Sequence, residues 1–342
     1  MKRKLLTLLV CSVACAQTPE AQDPTQGIVK LFDMYRIVMF GEMHGCRQQW
    51  DLLRRLVASP GFAGRVNDIV MEFGNARFQD VVDRYIAGED VPLSQVQRAW
   101  RNPVGVVGPV SPVYGEFYTA VRDVNRKLPK ERRLRLVMGD PPIDWDQVRS
   151  REDVGVFLPF RGAFYAGVVR QEVLAKKRKA LLIMGFGHFR RNAGRPNSIE
   201  NELLMALVKP YVIIAGSNTV GGFDNVDSRF NQLPSPSLIE VKGTWVGGVS
   251  TPDPRGGQAT TWEQMFDAYL YLGPRDTITV SKNRRSDLEG TPYGREIERR
   301  LTILFDKAPD FLPEADAGTE QPAFSRNSIP PPPLPAIPRS RP

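Results

Sequence analysis

Cysteine and histidine are scarce in this chain. Of three cysteines, Cys11 and Cys15 fall within the first sixteen residues, and Cys46 stands alone after them. A single thiol cannot close an internal disulfide, so a disulfide-stapled scaffold and a CxxC zinc module are excluded and stability falls to a packed core. The only two histidines are His44 and His188. No GxSxG elbow, HExxH helix or GxxxxGK[ST] loop occurs, which removes the commonest serine-hydrolase, zinc-peptidase and nucleotide-binding signatures. No apolar run reaches the roughly 20 residues that a spanning helix needs, so no integral membrane segment is expected. No repeat of fixed period is present either.

Charge is abundant and leans positive, with 46 Lys+Arg against 38 Asp+Glu. The excess is spread along the chain. Its densest cluster, Lys176-Lys177-Arg178-Lys179, ends an expected helix, where cations complement the helix dipole. Basic residues interleaved with exposed aromatics are missing, so no nucleic-acid partner is expected.

Both ends read as peripheral. Lys2, Arg3 and Lys4 precede an apolar run from Leu5 to Val13 and then Ala14-Cys15-Ala16, the three-part pattern of a secretory signal peptide over residues 1–16. The expectation is export to a periplasm or the exterior. A lipid anchor at Cys15 is the rival, against which Ser12 stands where a lipobox usually has Leu. The proline run Pro330 to Pro333 cannot donate backbone hydrogen bonds, and residues 313–342 read as a Pro-rich tail, either a solvated spacer or a polyproline ligand for another protein. Residues 17–312 read as one domain.

Within that domain, short apolar runs alternate with helical patterns. Arg36 to Phe40, Asp68 to Phe73, Leu134 to Met138, Ala180 to Met184, Tyr211 to Ala215, Leu238 to Val241 and Ala268 to Leu272 read as strands. After Gly45, the stripe Trp50, Leu53, Val57 with Leu52 and Leu56 predicts a helix covering the first strand. Further helices are expected over Arg77 to Ala87, Tyr114 to Leu128, Arg161 to Lys176, Ser198 to Val208 and Arg295 to Phe305. Continuous apolar strands with helical crossovers predict a three-layer α/β/α fold with a mostly parallel central sheet.

Ligands of such sheets bind beyond the carboxyl ends of the strands. Four of these ends carry ionisable groups: Gly41-Glu42-Met43-His44-Gly45, then Glu72, then Gly139-Asp140, then Gly185-Phe186-Gly187-His188. Each histidine follows a Gly-x-x-His spacing, in which glycine is expected to let the chain turn off the strand. Glu42, His44, Glu72, His188, Asp140 and Arg190 are therefore the candidate catalytic residues, with Asp144 as an alternative to Asp140. Cys46 sits two residues from His44 on a tight loop, a poor alignment for a thiolate–imidazole pair.

These motifs resemble the clan that joins erythromycin esterases, ChaN-like haem-binding lipoproteins and TraB/Tiki proteins. The paired Gly-x-x-His motifs are most similar to TraB/Tiki, and Gly41-Glu42-x-His44 with Glu72 in Met71-Glu72-Phe73 is similar to the esterases and ChaN. The likeness spans roughly Arg36 to Gly273. Erythromycin esterases place one more residue between glutamate and histidine, and ChaN tends to have Asp where Gly45 stands. The stretch Glu72 to Asp90, with Phe73-Gly74-Asn75 and Asp83-Arg84-Tyr85, is closer to uncharacterised exported members. The resemblance implies the three-layer fold, and function must come from the site.

Three readings follow. In the first, a hydrolase cleaves an ester or amide bond of a small molecule or peptide: His44, oriented by Glu42 or Glu72, activates water while His188 and Arg190 steady the developing charge. A metal-dependent form uses His44 and His188 as nitrogen ligands of Mn, Co or Zn, with Glu42 first, or Glu72 or Asp140, supplying oxygen. In the second, a ligand such as haem is bound without turnover, as the ChaN resemblance implies, with Tyr114, Tyr118 or Tyr165 as axial ligand; helical spacing beside Phe117 and Val121 equally makes these tyrosines core. In the third, the protein is a scaffold acting through its tail.

Overall fold

The computed structural model describes residues 18–105, 108–189, 191, 199, 203, 208–215, 228–251, 258–314 and 318–323. The expected leader, Arg190, most of the expected helix over Ser198 to Val208 and the proline run lie outside the described residues.

Strand β1 Ala21–Gln22 has no counterpart in the sequence pattern, whereas β2 Ile37–Glu42, β3 Asp68–Asn75, β4 Arg135–Asp140, β5 Ala180–Gly185, β6 Tyr211–Ala215 and β7 Ser237–Glu240 follow it. A small ribbon of β8 Ser250–Thr251 and β9 Thr260–Thr261 precedes β10 Ala268–Tyr271. The eight-stranded sheet runs β1-β7-β10-β6-β2-β5-β3-β4. It is parallel from β10 to β4, and the other edge, β7 and β1, is antiparallel. Strands β2, β3, β5 and β6 are buried along their whole length, which is why they are uninterrupted Val, Ile, Leu and Met runs rather than alternating ones.

Each face carries a helical layer. On one face Val38, Phe40, Met71, Ile183 and Ile213 pack against α1 Pro24–Met34, α2 Arg47–Ala58, α4 Leu93–Arg101 and α5 Val113–Arg126. The predicted stripe of α2, Trp50, Leu53 and Val57, is buried there with Leu52 and Leu56, each such side chain contributing about 1.5–3 kcal/mol by leaving water. On the other face Ile37, Met39, Val70 and Leu182 meet Tyr165, Val169 and Val173. Tyr165 lies on α7 Arg161–Val168, which continues as a wider π turn over Val169–Leu174. Among the shorter helices are α3 Gln79–Ala87 and α6 Arg151–Gly155. The three-layer α/β/α architecture is thus present as expected.

Two helices carried no clear periodic signal. Helix α1 is set by its ends, with Asp23 accepting a hydrogen bond from the Gln26 backbone N–H and a proline in its first turn. Helix α4 buries only Val96, Ala99 and Trp100. Among the described residues no helix is long and apolar enough to cross a membrane.

The C-terminal part returns to the carboxyl edge of the sheet. Strand β11 Thr279–Ser281 pairs antiparallel with β12 Glu320–Pro322, so the tail expected from residue 313 has a strand near its start. Val280 bridges to Cys46 and the Ser281 N–H donates to the Gly45 carbonyl at 2.8 Å, which lays β11 against the loop after β2.

Candidate active site

The strands with ionisable residues at or near their carboxyl ends, β2, β5, β3 and β4, are four consecutive parallel neighbours. Their carboxyl ends therefore share one edge, and residues far apart in sequence meet there. Glu42 is buried at the end of β2 and holds His44 through Nδ1. The Glu42 carboxylate also accepts from Trp50 Nε1 and from the Tyr114 hydroxyl, both at 3.2 Å. With Nδ1 engaged, Nε2 is the ring nitrogen left for substrate or water. The ring packs edge-on to Phe73, and its side chain is 47% exposed. Burial disfavours its charged form, but the Glu42 carboxylate outweighs this by charge and hydrogen bond, and the imidazole is raised to about 9.

Glycine does a different job here from the one its spacing suggested. The backbone turn after β2 is made by Gly45, at φ +77. Gly41 and Gly185 are needed for space: a Cβ at Gly41 would lie 2.7 Å from Ile214 Cδ1, and one at Gly185 would lie 2.8 Å from His44 Cε1 and 3.2 Å from Glu72 Oε2. The short turn Phe186–His188 then brings His188 over the same edge.

Glu72, buried near the end of β3, accepts from the Gly185 N–H at 2.6 Å, from Arg161 at 3.0 Å and from His188 Nε2 at 3.2 Å. Burial alone would raise its pKa; the charges of His188, His44 and Arg161 more than offset this and hold the carboxyl well below the usual 4.5. Asp140, at the end of β4, is fully buried and accepts from Arg161 at 2.8 and 3.0 Å, from the Tyr165 hydroxyl at 2.6 Å and from the Val104 N–H at 2.5 Å. Burial dominates there, so its pKa stays above 3.8 despite Arg161. Arg161, from the first turn of α7, thus ties two strand ends together. Sequence reasoning did not select it, because an arginine opening an amphipathic helix carries no local sign of a buried partner.

The cavity over this edge has a volume of about 460 Å³ and is lined by His44, Gly45, Phe73, Tyr114 and Ser111 together with C-terminal residues such as Val280, Leu288 and Phe311. His44 is the strand-end ionisable group that faces it; Glu72, Asp140, Arg161 and His188 stand behind that lining. None of the C-terminal lining residues was predicted from sequence, since β11 is short and its neighbours in space are hundreds of residues away.

Other expectations resolve as follows. Asp144 pairs with Arg77 at 2.8 Å rather than joining the network. Arg191 pairs with Asp267. The Cys46 thiol is buried and pushed up to about 12, chiefly by burial, which leaves no thiolate for catalysis. The three tyrosine hydroxyls are engaged: Tyr114 with Glu42, Tyr118 with the Phe73 carbonyl at 2.8 Å and Tyr165 with Asp140. The metal expectation took His44 and His188 with Glu42, Glu72 or Asp140; the described residues whose ligand atoms come within 4.8 Å of one another are Glu42, His44 and Glu72, so both glutamates join His44 and His188 does not.

No protein-family model matches the chain. No curated protein matches it either. Similar solved structures include the erythromycin esterase EreC in its open conformation, at 12% identity over 75% of this chain and 97% of that one, with a TM-score of 0.48. They also include the haem-binding ChaN of Campylobacter jejuni, at 12% identity over 56% of this chain and 86% of that one, with a TM-score of 0.37. A succinoglycan biosynthesis protein matches at 10% identity over 77% and 93%, with a TM-score of 0.49. Esterase and ChaN are two of the groups named by the motif resemblance.

Proposed function

We propose that this protein is a hydrolase of ester or amide bonds in which His44 moves the proton. The observation that carries the reading is the Glu42–His44 pair: a buried carboxylate, itself fixed by Trp50 and Tyr114, holds one nitrogen of an imidazole whose ring opens onto a cavity. In its neutral form Nε2 takes a proton from water as the water attacks the carbonyl; Glu42 stabilises the imidazolium so formed, and the proton is returned to the departing alcohol or amine. Behind the cavity lining, Arg161 and His188 brace Glu72, whose Oε2 accepts from the Gly185 N–H beside His44.

Glu42, His44 and Glu72 have the proximity of a metal site, but the oxygens of the two carboxylates are already engaged. Glu42 accepts from three donors, and Glu72 has the Arg161 cation at 3.0 Å from Oε1. A divalent ion at Glu72 would have to displace or repel that guanidinium, which favours acid–base chemistry by the side chains themselves over Mn, Co or Zn. No observation favours haem, because the tyrosines that would ligate it are committed elsewhere. Export through residues 1–16 remains part of the proposal.

The test is hydrolysis of a panel of p-nitrophenyl esters and anilides by purified wild-type and His44→Asn protein, with bound metal measured by mass spectrometry. His44→Asn is expected to lower kcat by about 10²–10⁴ with its circular dichroism unchanged. Equal rates in the two proteins, or no hydrolysis across the panel, would overturn the reading. About one equivalent of metal, lost in the variant, would replace the metal-free version.

A further inference from the structure

We propose that the cavity over His44 receives an amphiphile with an apolar body and an anionic end, the anion lying at Lys282. The cavity has two apolar walls. Phe73 and Tyr114 rise from the sheet side, stacked on each other at 3.7 Å, and Val280, Leu288 and Phe311 face them from the C-terminal part. Its neutral polar groups are spent on holding it together: Ser111 Oγ donates to the Ser281 carbonyl at 2.6 Å and Asn283 Nδ2 donates to the Val110 carbonyl at 2.9 Å. A ligand therefore meets mostly carbon, and a volume of about 460 Å³ is that of a small-molecule site, such sites spanning roughly 300–1,000 Å³.

Charge then sets the sign of the ligand. No Asp or Glu lines the cavity among the described residues, whereas Lys282 does, and its ammonium has no hydrogen-bonding or ion-pair partner among them. An exposed lysine is ordinarily just solvated. Here it is the one aliphatic cation on a lining without an acid, so an anionic end is attracted and a cationic end finds no counter-charge.

That this amphiphile is also hydrolysed rests on the hydrolase reading, and its binding is measured separately from turnover. Decanoate, decanol and decyltrimethylammonium share one apolar chain and differ in charge; each is titrated below its micellar concentration into wild-type, Lys282→Glu and Leu288→Trp protein by calorimetry. Decanoate should bind about three- to fivefold more tightly than decanol, the size of one exposed ion pair, with the cation weakest. Lys282→Glu should reverse the order of the two ions and leave decanol unchanged, and Leu288→Trp should weaken all three together by narrowing the cavity. Equal affinities for the three in wild type, an order that survives Lys282→Glu, or no binding at all would overturn the proposal. The expected order in a protein that hydrolyses nothing would end the hydrolase reading and keep this one; ester hydrolysis indifferent to charge would do the reverse.

Discussion

Glu42 and Asp140 occupy equivalent places, each the last residue of a parallel strand on the same edge of the sheet, and each is buried. Their partners make them different. Glu42 is paired with a titratable ring that opens onto a cavity, whereas Asp140 is sealed against a guanidinium that cannot lose its proton, a tyrosine and a backbone N–H. The first arrangement can pass a proton. The second can only hold its shape, and Glu72, sharing Arg161 with Asp140, couples that bracing to the side of the site where His44 works. A carboxylate at a strand end is thus a mark of the edge, and its role comes from what it touches.

The largest difference between the two halves should appear in stability. Arg161→Met leaves two buried carboxylates without their shared cation and is expected to cost about 3–5 kcal/mol in urea unfolding. His44→Asn removes a half-exposed ring and should cost less than about 1 kcal/mol. Similar losses in both variants would erase the distinction between a bracing half and a working half. Next in size is Gly185→Ala, whose new methyl group would lie 2.8 Å from His44 Cε1. The ring, free on its cavity side, swings away from Glu42, so hydrolysis should fall between ~10- and ~100-fold. An unchanged rate would mean that the position of the ring does not matter to the working half.

The sheet was legible in the sequence because burial on both faces writes each strand as an apolar run, and Tyr211–Ala215 falls where the pattern placed it. The strand-end rule then located Glu42, His44, Glu72, His188 and Asp140 without any knowledge of contacts. What stayed illegible has long-range causes. Arg161 is an ordinary helix-opening arginine until β3 and β4 bring Glu72 and Asp140 to it. Strand β11 has three residues, too few for a periodic signal, and it is fixed by Gly45 and Cys46 more than two hundred positions earlier. Gly41 and Gly185 were noticed for the right motif and the wrong reason, since flexibility can be guessed from sequence while a 2.8 Å approach cannot.

The smallest expected effect is a pH dependence that belongs to the working half. His44 binds its proton more tightly in the folded protein, raised from the ordinary 6.5 to about 9, with burial opposing the charge and Glu42 outweighing it. The stability this adds is fully present below pH 6.5 and is lost as the pH rises through about 9. Because the side chain is 47% exposed, solvent screens the pair and the loss is smaller than the shift alone would give. Melting temperatures of wild type and His44→Asn measured from pH 6 to pH 10 should therefore converge toward the alkaline end, the wild type falling more steeply. Over the same interval the neutral ring becomes more populated, so hydrolysis by wild type should rise as its stability declines. Parallel melting curves would mean that Glu42 does not hold the proton on His44, and a rate that falls through this window would make the imidazolium, acting as an acid, the working form.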